Sequence, residues 1–312
     1  MEQKQIHRTS IGGQAIIEGV MMRGVETCGV AVRNPEGEIV TKTEPVPTIT
    51  KKYRILRLPI LRGIVNLVET MRFGYKTLMY SAEIAGVEET EEEPGKFEKW
   101  LTRVFGDKLM TVLGVVASVL AVCLALFLFM FLPSFLVKLV GGGLPGAVKS
   151  ILEGLVKIAV FVLYLYLVSR MKDIQRVFEY HGAEHKTIFC YENGEELTVE
   201  NVRKFQRFHP RCGTSFLLIV LIISILVSSV VTWDVLWMRV LIKIASLPLV
   251  VGISYEIIKY AGRHDNPLTF VLSRPGLWLQ RLTTREPDDS QLEVAITSLK
   301  LVLTGNPEDD KW

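Results

Sequence analysis

At 312 residues the chain allows one to three domains, and 49% hydrophobic residues with a mean hydropathy of +0.31 exclude an ordinary soluble enzyme. A net charge of +3, with no arginine-rich or RNA-binding motif, argues against nucleic acid as a partner. Four scattered cysteines fit a reducing compartment rather than a disulfide framework.

The N-terminal stretch MEQKQIHRTSIGGQ lacks the apolar core of a signal peptide, so insertion into a membrane is expected to use internal segments. Residues 1–50 read as a cytosolic β unit. Ala15 to Met22 is expected as one strand, and Cys28–Val32 and Glu38–Thr43 flank Asn34-Pro-Glu-Gly, a hairpin turn in which proline presets one torsion and glycine permits positive φ. Gly12, Gly13, Gly19 and Gly24 lack the spacing of a phosphate-cradling loop and instead suggest a tight strand edge approached by another backbone.

Residues 51–87 contain an amphipathic helix, Pro59 to Ala85, with helical apolar spacing broken by Arg62, Glu69, Arg72 and Lys76. Each such charge costs roughly 2.5–3.5 kcal/mol at a bilayer centre, so a helix lying on a surface is expected rather than a span. Residues 88–108 hold an acidic linker, Glu88 to Glu93 followed by Pro94-Gly95, and a pre-span helix.

Residues 109–261 read as a four-span membrane domain. Leu109 to Leu132 is long enough for about 30 Å of hydrocarbon and uncharged, with Pro133 expected to end it. The others are Ile151–Val168, with Glu153 and Lys157 near its start, Phe216–Val231, and Leu236–Ile258, with Lys243 and Glu256 inside it. The segment between spans two and three, residues 170–213, carries eight lysines and arginines, while the other inter-span loops hold two and one. The positive-inside rule puts this segment and both termini in the cytoplasm. Residues 262–312 are expected as cytosolic C-terminal helices, Leu268–Leu282 and a helix after Pro287-Asp-Asp-Ser whose Leu292, Ile296, Leu299 and Val302 form one docking face. The fold class is thus a mainly α membrane protein with about four transmembrane helices, a small N-terminal β unit and peripheral amphipathic helices.

Three of the five histidines and two of the four cysteines fall between Glu179 and Ser215. Arg170 to Cys190 reads as a helix continuing past span two, and His181 and His185, one turn apart, can reach one ion. Glu184 between them completes HxxEH, a spacing that resembles the inverted zinc-peptidase motif of insulinase and pitrilysin, in which two histidines bind zinc and the glutamate activates water. His209 and Cys212 add soft ligands, Cys212 just before a helix start that favours thiolate. Two ligand sets follow. His181, His185, His209 and Cys212 would close a tetrahedron around a structural zinc. Alternatively His181, His185 and Glu256 would leave one position for water, with Glu184 as general base and Arg211, His209 and Cys212 lining the pocket. His264 with Asp265 is a weaker candidate, read as a turn.

The segments GGQAIIEGVMMRG (12–24), YHGAEHKTIFCYENG (180–194) and HPRCGTSFL (209–217) resemble the bacterial YqhQ family over most of the chain. That resemblance implies a multi-span protein of the bacterial cytoplasmic membrane and a predicted metal-dependent enzyme, and it draws Gln14, Glu18, Met21 and Arg23 toward the same site. The expected function is a zinc-type hydrolytic enzyme at the cytoplasmic membrane interface. The alternative is a non-enzymatic assembly factor or complex subunit with a structural or metal-free His/Cys cluster. The bilayer is the expected partner, with other membrane proteins a possibility.

Overall fold

The computed structural model describes residues 7–46, 49, 53–86, 109–140, 142–230, 235–264, 266–306 and 308–311. The acidic run Glu88–Glu93 with Pro94-Gly95, and Asp265, lie outside them. The chain divides into two compact units. The first comprises residues 1–88, 165–223 and 248–312, and the second residues 89–164 and 224–247.

The first unit is built on a four-stranded antiparallel meander, β1 (Gly12–Ile16), β2 (Gly19–Arg23), β3 (Thr27–Arg33) and β4 (Ile39–Pro45), in the order β1-β2-β3-β4. The stretch expected as a single strand, Ala15 to Met22, is instead a hairpin: Ile16 pairs with Gly19 across a two-residue turn of Ile17 and Glu18. Glu18 takes the positive φ, +49°, that such turns need and usually assign to glycine or asparagine. The turn at Asn34–Gly37 forms where expected, with Gly37 at φ +88° and its N–H on the Asn34 carbonyl at 3.0 Å.

Side chains alternate across a strand, and here both faces are covered. Val20, Met22 and Ala31 face Tyr180, Ala183 and Ile188 of one helix and Leu292, Ala295 and Leu299 of another. On the opposite face Met21, Cys28, Val30 and Val32 pack with Phe73. Hence β2 reads GVMM, apolar at every position rather than alternating. Phe73 belongs to α1 (Leu61–Ile84), which buries Phe73, Gly74, Thr77 and Ser81 and leaves Val68, Met71 and Tyr75 exposed.

Helix α2 (Leu109–Leu126) passes through a π turn (Phe127–Phe131) into α3 (Leu132–Val140). Pro133 does not end the helix. Proline removes one ladder donor and its ring crowds the carbonyl four residues back, and the wide turn over 127–131 makes room at that point. After α4 (Gly146–Val168) the helix does not continue into the His/Cys segment: Ser169–Met171 form a tight turn, with Ser169 Oγ on the Tyr166 carbonyl at 2.8 Å. α5 (Lys172–Glu192) starts afresh, followed by the short α6 (Val199–Arg203), α7 (Gly213–Val230), α8 (Leu236–Arg263), α9 (Pro267–Thr283) and α10 (Asp289–Lys300). Asp288 caps α10 by accepting the Gln291 N–H at 2.9 Å, and Leu292, Ile296, Leu299 and Val302 are buried, the docking face expected.

Among the described residues three helices are long and apolar enough to cross a membrane: Gly114–Val140, Val148–Val168 and Val240–Ala261, of 27, 21 and 22 residues. The apolar helix Gly213–Ser229 is shorter. Val115, Val119, Leu120 and Leu124 point outward from α2, an apolar surface compatible with association with a lipid bilayer. Within the second unit, buried Lys243 pairs with Glu153 and donates to Ser134 Oγ at 2.9 Å, and buried Lys157 donates to Ser224 Oγ at 3.1 Å. Glu153 and Lys157, one turn apart on α4, each take a partner from another helix.

Candidate metal centre

The middle of α5, from Tyr180 to Ile188, is almost wholly buried because β1 covers one side and α10 another. His181 and His185 follow one another on the helix, their rings 4.4 Å apart. Cys212 reaches them from the residue preceding α7, where its Sγ accepts the Thr214 N–H at 3.4 Å. The ligand atoms of His181, His185 and Cys212 all lie within 4.8 Å of one another, with His181 Nε2 3.1 Å from Cys212 Sγ. Around a tetrahedral zinc, neighbouring N and S atoms stand roughly 3.5 Å apart, so the trio is close to binding distance.

Both rings are aimed from behind. His181 Nδ1 donates to the Thr283 carbonyl at 2.8 Å, and His185 Nδ1 donates to the Arg207 carbonyl at 2.5 Å. A carbonyl only accepts, so each Nδ1 carries a proton and each Nε2 faces the cluster, the arrangement by which outer-shell partners orient metal-ligating histidines. His185 Nε2 is buried and has no hydrogen-bond partner among the described residues. An orphaned buried nitrogen beside a thiol and a second imidazole is what a cation would satisfy.

Charge follows the geometry. Burial raises the Cys212 thiol, but His181 and His185 beside it outweigh this and hold it well below the ordinary 9.0. Burial opposes charge on His181, yet the Cys212 thiolate and Glu184 raise it to about 9. Both shifts point toward a thiolate–imidazolium pair in the absence of metal. Glu184 is 5% exposed; burial pushes its carboxyl up, and the two histidines offset this in part. Its Oε1 accepts the Gly13 N–H at 3.0 Å, and its Oε2 stands 3.9 Å from His181 Nε2. Glycine is required at 13, since a Cβ there would lie 2.8 Å from Glu184 Cγ. The close backbone approach expected of the N-terminal glycines holds at Gly19, against the Ala31 carbonyl, and at Gly24, against the Val302 carbonyl, whereas Gly13 is approached by the Glu184 side chain and nothing lies near Gly12.

The other expected residues fall elsewhere. Glu256 is not placed with the histidines: both its oxygens are engaged by Arg62 of α1, which it meets from α8, and it also accepts the Ile60 N–H at 3.4 Å. His209 lies beside the trio, its ring 5.5 Å from that of His185, but is held for another purpose. Gln280 clamps its backbone through two 2.7 Å hydrogen bonds, its Nδ1 accepts the Arg211 N–H at 3.3 Å, and its Nε2 faces Glu192 at 3.6 Å. Burial lowers the His209 imidazole, so it stays neutral. Arg211 pairs with Glu192.

Of the N-terminal residues, Gln14 packs against Gly74, Arg23 donates to Thr70 Oγ1 at 3.2 Å, and Glu18 pairs with Arg176 and accepts from Tyr180 Oη at 3.2 Å. Met21 is buried in the sheet's second face. Their segment does fold over the site, through the Gly13 amide. His264 stacks on Tyr260 at 4.2 Å. Nothing in the residue types marks the Thr283 and Arg207 carbonyls, since any residue supplies a carbonyl. Gly13 was visible only as part of a glycine-rich stretch.

The "Uncharacterized protein YqhQ" of Bacillus subtilis (strain 168) is 38% identical over 295 residues, covering 94% of this chain and 92% of that protein. No solved structure matches the chain. The family described as "Protein of unknown function (DUF1385)" matches residues 58–305, and the chain belongs to that family.

Proposed function

We propose that this protein is a divalent-metal-dependent enzyme of the bacterial cytoplasmic membrane, hydrolytic, with its site at the cytoplasmic interface. His181, His185 and Cys212 hold the ion, zinc by ligand type, since two imidazoles and a thiolate suit it best. The observation that carries this reading is the buried, unpartnered His185 Nε2, which shares a 4.8 Å cluster with His181 Nε2 and Cys212 Sγ. When bound, such an ion supplies Lewis acidity and makes water a better nucleophile at neutral pH. Glu184 is the proton acceptor. Its Oε2 lies 3.9 Å from His181 Nε2, its Oε1 is pinned by Gly13, and burial raises its carboxyl above the ordinary range. The basic segment 170–211, set against poorly charged loops elsewhere, supports a cytoplasmic site and cytoplasmic termini, with α7 as a fourth span beside the three longer ones.

Metal analysis of purified protein tests this. Stoichiometric zinc is expected in the wild type and in Glu184→Gln, and its loss in His181→Ala, His185→Ala and Cys212→Ser. Cobalt substitution should give a thiolate-to-metal charge-transfer band that disappears in Cys212→Ser. Metal-free wild type from zinc-supplemented cells would overturn the assignment. On a panel of carboxylic and phosphoric esters, Glu184→Gln should lose about 10²–10⁴-fold in rate with its metal retained.

The 3.1 Å His181–Cys212 contact favours a second reading, in which a thiolate–imidazolium pair without metal holds the fold of a non-enzymatic assembly factor or complex subunit. Under that reading Glu184→Gln is mild and Cys212→Ser destabilises.

A further inference from the structure

Cys212 has a second neighbourhood. It lines a cavity of about 900 Å³ walled by the start of α7, the end of α8 and one face of α9. That is the upper end of the usual range for a small-molecule site, and a lone inorganic anion would fill little of it. The wall has two characters. Phe208, Ile219, Ile258, Leu277 and Trp278 make an apolar side, and Ile258 and Ala261 belong to the candidate span Val240–Ala261. Arg8, Arg211, Arg274 and Arg281 make a cationic side, and no carboxylate is among the described lining residues.

Arg211 is neutralised by Glu192, whereas Arg274 and Arg281 have no carboxylate partner among the described residues. These two are seven residues apart on α9, two helical turns, so they share a face with Leu277 and Trp278 between them. Phe270, Val271 and Trp278 of α9 are 58%, 64% and 53% exposed, the aromatic and apolar surface of a helix lying in a membrane interface. Ser215, on the cavity wall, is 4% exposed, and its hydroxyl packs against Gly276 of α9, fixing the start of α7 against that helix.

We infer that this cavity binds an anionic phospholipid, the substrate class of the metal centre, an inference that rests on the enzymatic reading above. The phosphate sits against Arg274 and Arg281, and an acyl chain follows Ile219, Ile258 and Trp278. Charge complementarity selects the headgroup, and continuity with an apolar span selects a lipid over a soluble phosphate ester. Cys212 belongs to both the cavity wall and the His/Cys cluster, which is the link between the lipid and the metal centre.

Full-length protein in detergent is titrated with dioctanoyl-phosphatidylglycerol, dioctanoyl-phosphatidylcholine and inorganic phosphate, with binding read by native mass spectrometry and zinc measured on the same samples. Phosphatidylglycerol should bind about tenfold or more tighter than phosphatidylcholine, and inorganic phosphate more weakly than either. Arg274→Ala/Arg281→Ala should lose about tenfold for phosphatidylglycerol alone, and Arg274→Lys/Arg281→Lys should recover most of it. Ile219→Trp, which fills the apolar side, should weaken both lipids. His181→Ala should lose zinc and keep lipid binding. Equal affinity for the two lipids, indifference to the double alanine change, or phosphate binding as tightly as phosphatidylglycerol would overturn the inference while leaving the metal assignment intact. Absence of zinc from a wild type that still prefers phosphatidylglycerol would overturn the metal assignment alone.

Discussion

The thiol chemistry of the cluster can be read directly. In chelator-treated native protein, Cys212 should be alkylated by iodoacetamide at a rate nearly flat with pH through neutrality, because it is already thiolate beside His181 and His185. Cys28 is the internal contrast. Buried in the sheet, its thiol is pushed up to about 11, so at pH 8 about one molecule in a thousand is thiolate, against about one in ten for a thiol at the ordinary 9.0. Its rate should climb about tenfold per pH unit and stay far below that of Cys212, although a low-pKa thiolate is intrinsically the weaker nucleophile. Cys212 is reachable because it lines the open cavity. His181→Ala removes the leading charge that lowers the thiol, so labelling of Cys212 should regain a steep pH dependence. Zinc should protect it in the wild type. Peptide-level mass spectrometry after timed labelling gives each rate. A Cys212 rate that climbs tenfold per unit through neutral pH, or one that zinc leaves unchanged, would refute the electrostatic reading and the ligand assignment respectively.

Leu299→Ala removes a fully buried side chain between the sheet and α5, and should cost about 2–5 kcal/mol in a denaturant or thermal assay of the first unit. Gly182→Ala would put a Cβ 2.0 Å from the Arg285 carbonyl oxygen. The backbone must shift and the Arg285 N–H bond to the Phe178 carbonyl is put at risk, a loss of about 1–3 kcal/mol visible as a lowered Tm. Lys243→Met removes one charge partner of buried Glu153 and should lower the thermal-unfolding midpoint in detergent, whereas adding Glu153→Leu should recover part of the loss.

What could be read from the residues divides along physical lines. The Asn34–Gly37 turn, the helix α1 and the docking face of α10 were legible because proline, glycine and helical spacing act locally. The Ile17-Glu18 turn was not, since nothing local marks a glutamate for positive φ; pairing of β1 with β2 imposes it. Pro133 misled because its usual effect is absorbed by the π turn before it. The trio was half legible. His181 and His185 are fixed by helix period, and Cys212 was present as one of two alternatives, but choosing between Cys212 and Glu256 needed the tertiary partner of each. Arg62 decided it: a charge that kept α1 from being read as a span is the group that occupies Glu256.

The same displacement bears on what the centre can do. A closed four-ligand site would need His209 as well as Cys212, and a structural role would follow from that closure. His209 is instead fixed at its backbone by Gln280, with its ring directed to Glu192 and the Arg211 amide. Recruiting it would cost those contacts and leave Glu192 with Arg211 and the Thr9 amide alone. On the proposed reading the ion has three ligands, one of them on the wall of a large cavity, which leaves a position for an exchangeable molecule. Glu184, pinned by the Gly13 amide and raised by burial, is on that reading the carboxylate placed to exchange protons with it.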